Sequence, residues 1–252
     1  MWQQYALEAR YEVLRLARLP AYALPTLAFP LTFYLLFGIA LAGSRATGGR
    51  DLAPYLLATY GAFGVIGASL FSFGVSVAME RAQGWFLLKR ATPMHPLVYV
   101  LGKVGASMAF GALIVLSLAV CGALLGGVRL AGTQWALLAF VLIVGCVPFC
   151  AIGLTLGFAV GPNAAPAVVN LVYLIAGFAS GLLIPLDVLP RAVHSVAVWL
   201  PQYHLGQLAL AVTGQSPSPR PGWHILSLLA WTAVGVAGAM ITYRRDEGRL
   251  YG

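Results

Sequence analysis

The charged residues of this chain are almost all confined to short stretches between long apolar runs, and this pattern restricts the fold more than any other feature. Only 9% of the 252 residues are charged, while 60% are hydrophobic. A soluble domain carries about 25% charged residues, and a helix needs about 20 consecutive apolar residues to cross a bilayer. We therefore expect an all-α integral membrane protein.

Six apolar runs are candidates for membrane spans. Because lipid offers no hydrogen bonds to a polypeptide backbone, each run is predicted to be a helix. The runs cover residues 20–43, 52–79, 97–127, 134–160, 164–184 and 223–243. In the fourth run, the spacing Gly153-xxx-Gly157-xxx-Gly161 favours close packing against another helix.

Two segments outside these runs are predicted to lie at the membrane surface. Residues 1–19 carry charges on one side and apolar residues at helical spacing on the other, which is typical of an amphipathic helix in the headgroup plane. Residues 185–222 contain six prolines and two apolar pieces, 188–200 and 205–212, that are too short to span. We expect these pieces to be short, partly inserted re-entrant helices on the outer face.

The stretch formed by residues 80–96, ERAQGWFLLKRATPMHP, separates the second and third apolar runs. Apolar residues interrupt its charges at roughly helical spacing, and Pro93 is expected to end the helix, because the residue before a proline avoids helical angles. Two interpretations remain open at this point. The helix either docks on another protein outside the bilayer or lies on lipid headgroups.

The distribution of Lys and Arg predicts the orientation. With six spans and both termini on one side, that side holds ten Lys and Arg residues and the other side five. Loops rich in Lys and Arg stay in the cytoplasm. We therefore place both termini and residues 80–96 in the cytoplasm, and we attribute the net charge of +8 to orientation rather than to nucleic-acid binding.

The remaining chemically active residues predict neither a catalytic nor a metal site. The three cysteines fall inside apolar runs and are interpreted as small apolar side chains. His194 and His204, with Asp187 nearby, show no catalytic or metal-ligand spacing. Lys103, inside the third run, is expected to extend its ammonium back to the membrane surface.

Three blocks of sequence resemble the six-span permease subunits of ABC type-2 exporters, a group that includes drug, polysaccharide and lipid-linked-glycan exporters. The first is the amphipathic segment 8–20. The second is Met79-Glu80-Arg81-xx-Gly84-xxxx-Lys89-Arg90-xx-Pro93, followed by Gly102-Lys103. The third is Asn170-Leu171-xxxxxx-Phe178-x-Ser180-Gly181-xxx-Pro185-xxx-Leu189-Pro190, followed by Trp199-Leu200-Pro201-xx-His204. The resemblance covers essentially the whole chain and implies a single transmembrane permease domain.

The resemblance also implies partners. Residues 80–92 would form a cytoplasmic coupling helix that docks on a separate ATPase subunit through Glu80, Arg81, Gly84, Trp85, Phe86, Lys89 and Arg90. The chain itself has no phosphate-binding loop, because its Gly102-Lys103 pair is followed by Val104 and lacks the preceding glycine. ATP and Mg²⁺ are therefore expected on two ATPase subunits, and no cofactor in this chain. A second permease subunit, identical or different, would complete the transporter in a bacterial inner membrane.

The substrate path is expected between the first, second and fifth spans. Its polar exceptions would be Tyr34, Tyr60, Asn170, Tyr173 and Ser180. An apolar path favours a lipophilic drug or a lipid-like molecule, with a polysaccharide or glycolipid as the alternative. Outside this family, an ion-coupled transporter would need carboxylates at mid-membrane, whereas those of this chain lie at span ends and in loops. A membrane enzyme using the outer histidines is the other alternative.

Overall fold

The structure is a computed structural model that describes residues 2–40, 51–85, 96–216 and 220–251, and within them all regular structure is helical. The all-α prediction is thus confirmed. The α-helices are α1 (Trp2–Ala17), α2 (Pro20–Phe33), α3 (Leu52–Leu70), α4 (Ser76–Ala82), α5 (Pro96–Leu124), α6 (Gly132–Val144), α7 (Val147–Ala159), α8 (Ala165–Ala179), α9 (Arg191–Ala197), α10 (Pro201–Val212) and α11 (Pro221–Tyr251).

Three tighter or wider helical segments extend this series. A π-helix, Tyr34–Ala40, continues α2, and a second, Phe71–Val75, joins α3 to α4. A 3-10 turn, Leu186–Val188, precedes α9. Pro20 starts α2, where its missing N–H costs nothing because the first helical amides have no partner within the helix. The helix then runs on through two further prolines, Pro25 and Pro30.

Five helical stretches among the described residues are long and apolar enough to cross a membrane: Tyr22–Ala40, Leu52–Ala82, Leu97–Leu124, Gly132–Ala159 and Pro221–Arg245. They correspond to five of the six predicted spans. The remaining prediction, residues 164–184, coincides with α8, which has only 15 residues. At about 1.5 Å per residue, α8 is shorter than a hydrocarbon core of about 30 Å. The six-span count therefore stays a prediction.

The helix α3 lies at the centre of the bundle. Every residue from Tyr55 to Leu70 is buried, and α2, α5, α7 and α10 pack around it. A helix that is apolar on all sides is stable only when it is enclosed, which explains this position. The predicted span 134–160 is interrupted where α6 ends at Val144 and α7 begins at Val147. Pro148, in the first turn of α7, lacks the N–H that would continue the helix from Val144.

Glycines determine how closely several helices approach. A methyl group on Gly153 would lie 2.9 Å from Phe73 Cβ, and one on Gly157 would lie 2.8 Å from the Phe73 carbonyl oxygen. These two members of the predicted packing motif therefore face the second candidate span. A methyl group on Gly161 would meet nothing within 4 Å. The packing prediction holds for the first two glycines and is wrong for the third.

The N-terminal helix α1 packs along the start of α5. Gly102 makes this possible, because a methyl group there would lie 2.6 Å from Glu8 Cγ, and one on Gly105 would lie 3.3 Å from Ala9 Cβ. Helices α9 and α10 occupy the places of the two short helices predicted before the last span. Whether they enter the membrane stays a prediction.

Candidate functional site

A buried group of charged and polar side chains joins α1, α4 and α5. We call it the ionic cluster, and its members are Glu12, Arg15, Ser76, Glu80, Tyr99 and Lys103. At its centre, Lys103 Nζ lies 2.8 Å from Glu80 Oε1 and 2.8 Å from Ser76 Oγ, and it also pairs with Glu12. The Lys103 side chain is only 1% exposed. The predicted extension of Lys103 to the membrane surface is therefore wrong, because its ammonium is neutralised inside the bundle.

Arg15 is the second cation of the ionic cluster and its most accessible charge, with 39% of its side chain exposed. Its Nη1 lies 2.5 Å from Glu80 Oε1 and 3.4 Å from Glu12 Oε2, and its Nη2 donates to Ser76 Oγ at 2.5 Å. Burial lowers the pKa of Arg15, but the Glu80 and Glu12 carboxylates outweigh it, so the pKa lies above its ordinary value. Arg15 therefore stays charged.

Glu80 accepts hydrogen bonds on both carboxylate oxygens. Oε1 faces the two cations and Ser76, while Oε2 accepts the hydroxyl of Tyr99 at 2.7 Å. Two carboxylates thus balance two cations, which is what burial of charge requires. Glu80 is 3% exposed, so the expectation that it offers an ionic contact to a docked subunit is corrected. In the fold, its side chain points inward from α4.

Arg81 also makes contacts within the chain. Its Nη1 donates to the carbonyl oxygens of Gly157, at 3.1 Å, and of Phe158. These carbonyls lie in the last turn of α7, where no further intrahelical amide is available to them. The side chain therefore ties the end of α4 to the end of α7, and this contact explains its position better than docking does.

The first residues of the predicted coupling helix, Glu80 and Arg81, belong to α4. This helix ends at Ala82, and Gly84 then adopts a left-handed backbone with φ of +73°. Such a residue commonly follows a helix end, and glycine adopts it without steric cost. Trp85 is 46% exposed. The predicted docking residues Phe86, Lys89 and Arg90 lie outside the described residues.

A cavity of about 680 Å³ lies beside the ionic cluster. We call it the groove. Its walls come from the end of α1, from α2, from α3 and the following π-helix, from α4 and from α8. Its lining residues include Arg15, Tyr22, Gly67, Gln83, Trp85, Asn170 and Tyr173. The groove thus lies between the first, second and fifth predicted spans, as the expected substrate path does.

The groove walls are mainly apolar, and the hydroxyls of their two tyrosines are bonded to backbone carbonyls. Tyr173 donates its hydroxyl to the Phe63 carbonyl at 3.1 Å, and its ring stacks on that of Phe63 with 4.1 Å between centroids. Tyr22 donates to the Ala68 carbonyl at 2.9 Å. The rings therefore contribute apolar surface, while their hydroxyls are satisfied by the backbone.

The structure brings only two of the five predicted path residues to the groove, Asn170 and Tyr173. The other three are absent from its lining. Tyr34 is fully buried next to Gly122 and Gly126, Tyr60 donates to the Leu183 carbonyl, and Ser180 donates to the Gly177 carbonyl. Their assignment to a substrate path therefore stays a prediction.

Three histidines, His194, His204 and His224, each contact another group within the chain. His204 Nδ1 lies 2.9 Å from His224 Nδ1, and His194 Nε2 lies 2.6 Å from the Leu186 carbonyl oxygen. Burial, followed by the proximity of His224, lowers the pKa of His204 to about 4. Among the residues that the structure describes, no group of three or more His, Cys, Asp or Glu could hold a metal ion.

The ionic cluster was not predicted from the sequence, although the spacing of some of its residues indicates shared helix faces. Glu12 and Arg15 share one side of α1, and Ser76 and Glu80 are four residues apart on one face of α4. Lys103 follows Gly102, where α1 approaches closely. An ionisable residue inside an apolar run indicates a nearby partner of opposite charge, but the two partners of Lys103 lie 23 and 91 residues earlier in the chain.

Comparison with known proteins assigns the chain to a family. A family model described as ABC-2 type transporter matches residues 3–213. The chain is also similar to the Bacillus subtilis (strain 168) protein described as "Putative transport permease YvfS". The two are 27% identical over 237 residues, which cover 94% of this chain and 95% of that protein. Together with the five candidate spans, these matches indicate a multi-pass transport permease. This chain belongs to the ABC-2 type transporter family.

Proposed function

We propose that this chain is the membrane subunit of an ATP-driven exporter and that its substrate passes through the groove. The observation that carries the proposal is the position of the groove. Its lining includes Gln83 and Trp85, which belong to the segment through which the family resemblance implies docking of an ATPase. Movement of that segment would therefore displace part of the groove wall at Gln83 and Trp85.

The walls of the groove support a lipophilic drug-like or lipid-like substrate. A volume of about 680 Å³ falls in the range of about 300–1,000 Å³ that small-molecule sites occupy. The side chains facing the groove are mostly apolar, with Asn170 as an amide on the α8 wall. A polysaccharide or glycolipid, which would need a wider polar channel, is the alternative.

In the proposed mechanism, two ATPase subunits close on ATP and Mg²⁺, and each presses on the segment that follows α4 in one permease. The α4 end is tied to α1 and α5 by the ionic cluster and to α7 by Arg81, so the push moves these helices together. Two permeases, identical or different, would rock and open the groove to the outer side. Both termini would lie in the cytoplasm of a bacterial cell, and the spans in its inner membrane.

The test is co-purification with the ATPase encoded beside this chain. The variant is Lys89→Glu/Arg90→Glu, which reverses two charges in the docking segment. The matched control is Arg191→Glu/Arg220→Glu, which reverses two exposed charges in the region predicted to be outside. Arg81 is left unchanged, because its substitution would also remove the contacts with α7.

We expect the docking variant to retain about tenfold less ATPase than wild type, because reversed charges repel the complementary surface. The control should retain as much as wild type. Equal retention by both variants would show that residues 80–96 do not dock. Failure of any ATPase to co-purify with the wild-type chain would contradict the proposed function as a whole.

A further inference from the structure

We propose that the groove selects an amphiphile with an anionic head group, and that Arg15 binds this head. The inference rests on the proposed function, since it names the substrate class of the same groove. It starts from a contrast within the groove lining. Most of the lining is apolar, whereas Arg15 contributes a charged side chain that is 39% exposed.

The hydrogen-bonding capacity of Arg15 is only partly used by the ionic cluster. A guanidinium has five N–H donors. The contacts of Arg15 within the chain go from Nη1 to Glu80 and Glu12, and from Nη2 to Ser76. Among the described residues, these contacts involve the terminal nitrogens Nη1 and Nη2, and none of them involves Nε. A carboxylate, phosphate or sulfate can accept two such donors at once, in the planar geometry that suits arginine.

The charge that an incoming molecule meets is that of Arg15. Among the described lining residues, the other ionised side chain is Glu80, which is 3% exposed. Both Glu80 oxygens already accept hydrogen bonds, from Lys103 and Ser76 on one side and from Tyr99 on the other. Its negative charge is therefore held by close partners at depth, whereas the Arg15 side chain lines the groove and is 39% exposed. An anionic head is thus favoured over a cationic head at Arg15.

The apolar part of the groove lining determines which apolar body the ligand can carry behind its head group. From Arg15, the lining continues along Tyr22, Phe29 and Phe71 to Tyr173 and Leu174. These side chains offer carbon surface, since the two tyrosine hydroxyls are bonded to backbone carbonyls. A cavity of about 680 Å³ suits one hydrocarbon chain or a compact ring system. The ligand class is therefore an acidic amphiphile with a small apolar body.

The experiment measures how head-group charge affects stimulation of the ATPase. The permease–ATPase complex is placed in phosphatidylcholine nanodiscs, and palmitate, hexadecanol and hexadecylamine are titrated separately. The three probes share one tail and differ in the head. We expect palmitate to reach half-maximal stimulation at a concentration about tenfold lower than hexadecanol, because hydrogen bonds to charged groups are the stronger ones. Hexadecylamine should not stimulate.

The variant Arg15→Gln/Glu12→Gln removes the cation while keeping the ionic cluster neutral. Its palmitate-to-hexadecanol ratio should fall to about one, and this ratio is measured within one variant, so it does not depend on the basal rate. Arg15→Lys keeps the charge but loses the planar fork, and its ratio should fall between the two. The control Arg18→Gln changes the same charge on an exposed residue outside the groove lining, and it should keep the wild-type ratio.

Equal stimulation by all three probes, or a wild-type ratio in the neutral variant, would overturn the inference while leaving the exporter assignment intact. If no ATPase binds, the same comparison is made with the permease alone, by displacing radiolabelled palmitate with each unlabelled probe. The inference then requires palmitate to compete best. Stimulation by phosphatidylglycerol nanodiscs without added probe would identify a membrane lipid, rather than a free amphiphile, as the source of the anionic head.

Discussion

Lys103 Nζ lies 2.8 Å from Glu80 Oε1, and this contact joins the start of α5 to the end of α4. The two residues flank the segment that the family resemblance assigns to docking. Since Glu12 and Arg15 of α1 bind the same pair, three helices converge there. The positions of these helices therefore depend on one another, and the charges that hold them can be tested individually.

Replacing the central cation should destabilise the chain strongly. Lys103→Met leaves two buried carboxylates with Arg15 alone, and breaking a buried pair in this way costs about 3–5 kcal/mol. We expect a clear fall in the melting temperature of the detergent-purified permease. The double variant Lys103→Met/Glu80→Gln removes one charge of each sign and should recover most of the loss. A double variant no more stable than the single one would show that charge balance is not what matters there.

Two glycines of the packing motif should respond differently to a methyl group. Gly157→Ala forces a contact with Val77 and the Phe73 carbonyl oxygen, and overpacking of this kind costs about 1–3 kcal/mol. Gly161→Ala meets open space and should leave the melting temperature within experimental error. Thermal unfolding of both variants, followed by circular dichroism, tests this. Equal effects would mean that α7 does not pack on the second span as described.

Narrowing the groove should weaken ligand binding more than stability. A methyl group on Gly67 would lie 2.7 Å from the Tyr173 hydroxyl, so Gly67→Ala both adds a methyl group to the groove lining and forces the Tyr173 ring to move. We expect weaker binding of a lipophilic fluorescent probe in an equilibrium titration. Gly222→Ala, where a methyl group meets nothing within 4 Å, serves as the control. Unchanged affinity in both variants would indicate that the probe binds elsewhere.

Stability should fall on acidification below neutral pH. The pKa of His204 is lowered to about 4 by burial and by His224, whereas an unfolded histidine titrates near 6.5. The unfolded chain therefore binds the proton first as the pH decreases. The stabilisation is complete above about pH 6.5 and is lost between that pH and about pH 4. Melting curves at pH 7.5 and pH 5 should show this difference, and His204→Gln should reduce it. A pH dependence identical to wild type in that variant would assign the effect to other groups.

Hydropathy predicted most of the fold because membrane spans are determined by local composition. Five candidate spans lie where apolar runs were found, and α1 begins and ends near its predicted bounds. The 164–184 prediction was less successful, because an apolar run does not reveal where a helix stops. There α8 ends at Ala179, and Gly181 with φ of +80° turns the chain.

The site was harder to predict, since it depends on which faces of distant helices meet. Asn170 and Tyr173 are three residues apart on one face of α8, and both reach the groove. Tyr34 and Tyr60 are equally plausible by residue type, yet they point into helix contacts. Glu80 shows the same difficulty. It begins the polar stretch in the sequence, but helical geometry places it beside Ser76, on the buried face of α4.

The long sequence separation within the ionic cluster has a consequence for how the chain is made. Glu12 leaves the ribosome 91 residues before Lys103, and Glu80 leaves it 23 residues before. The contacts of both carboxylates with the Lys103 ammonium can therefore form only after the start of the third span has been synthesised. Until then, Arg15 is the cation of the ionic cluster that is available to Glu12. Synthesis thus supplies the charges of α1 first and their central partner last.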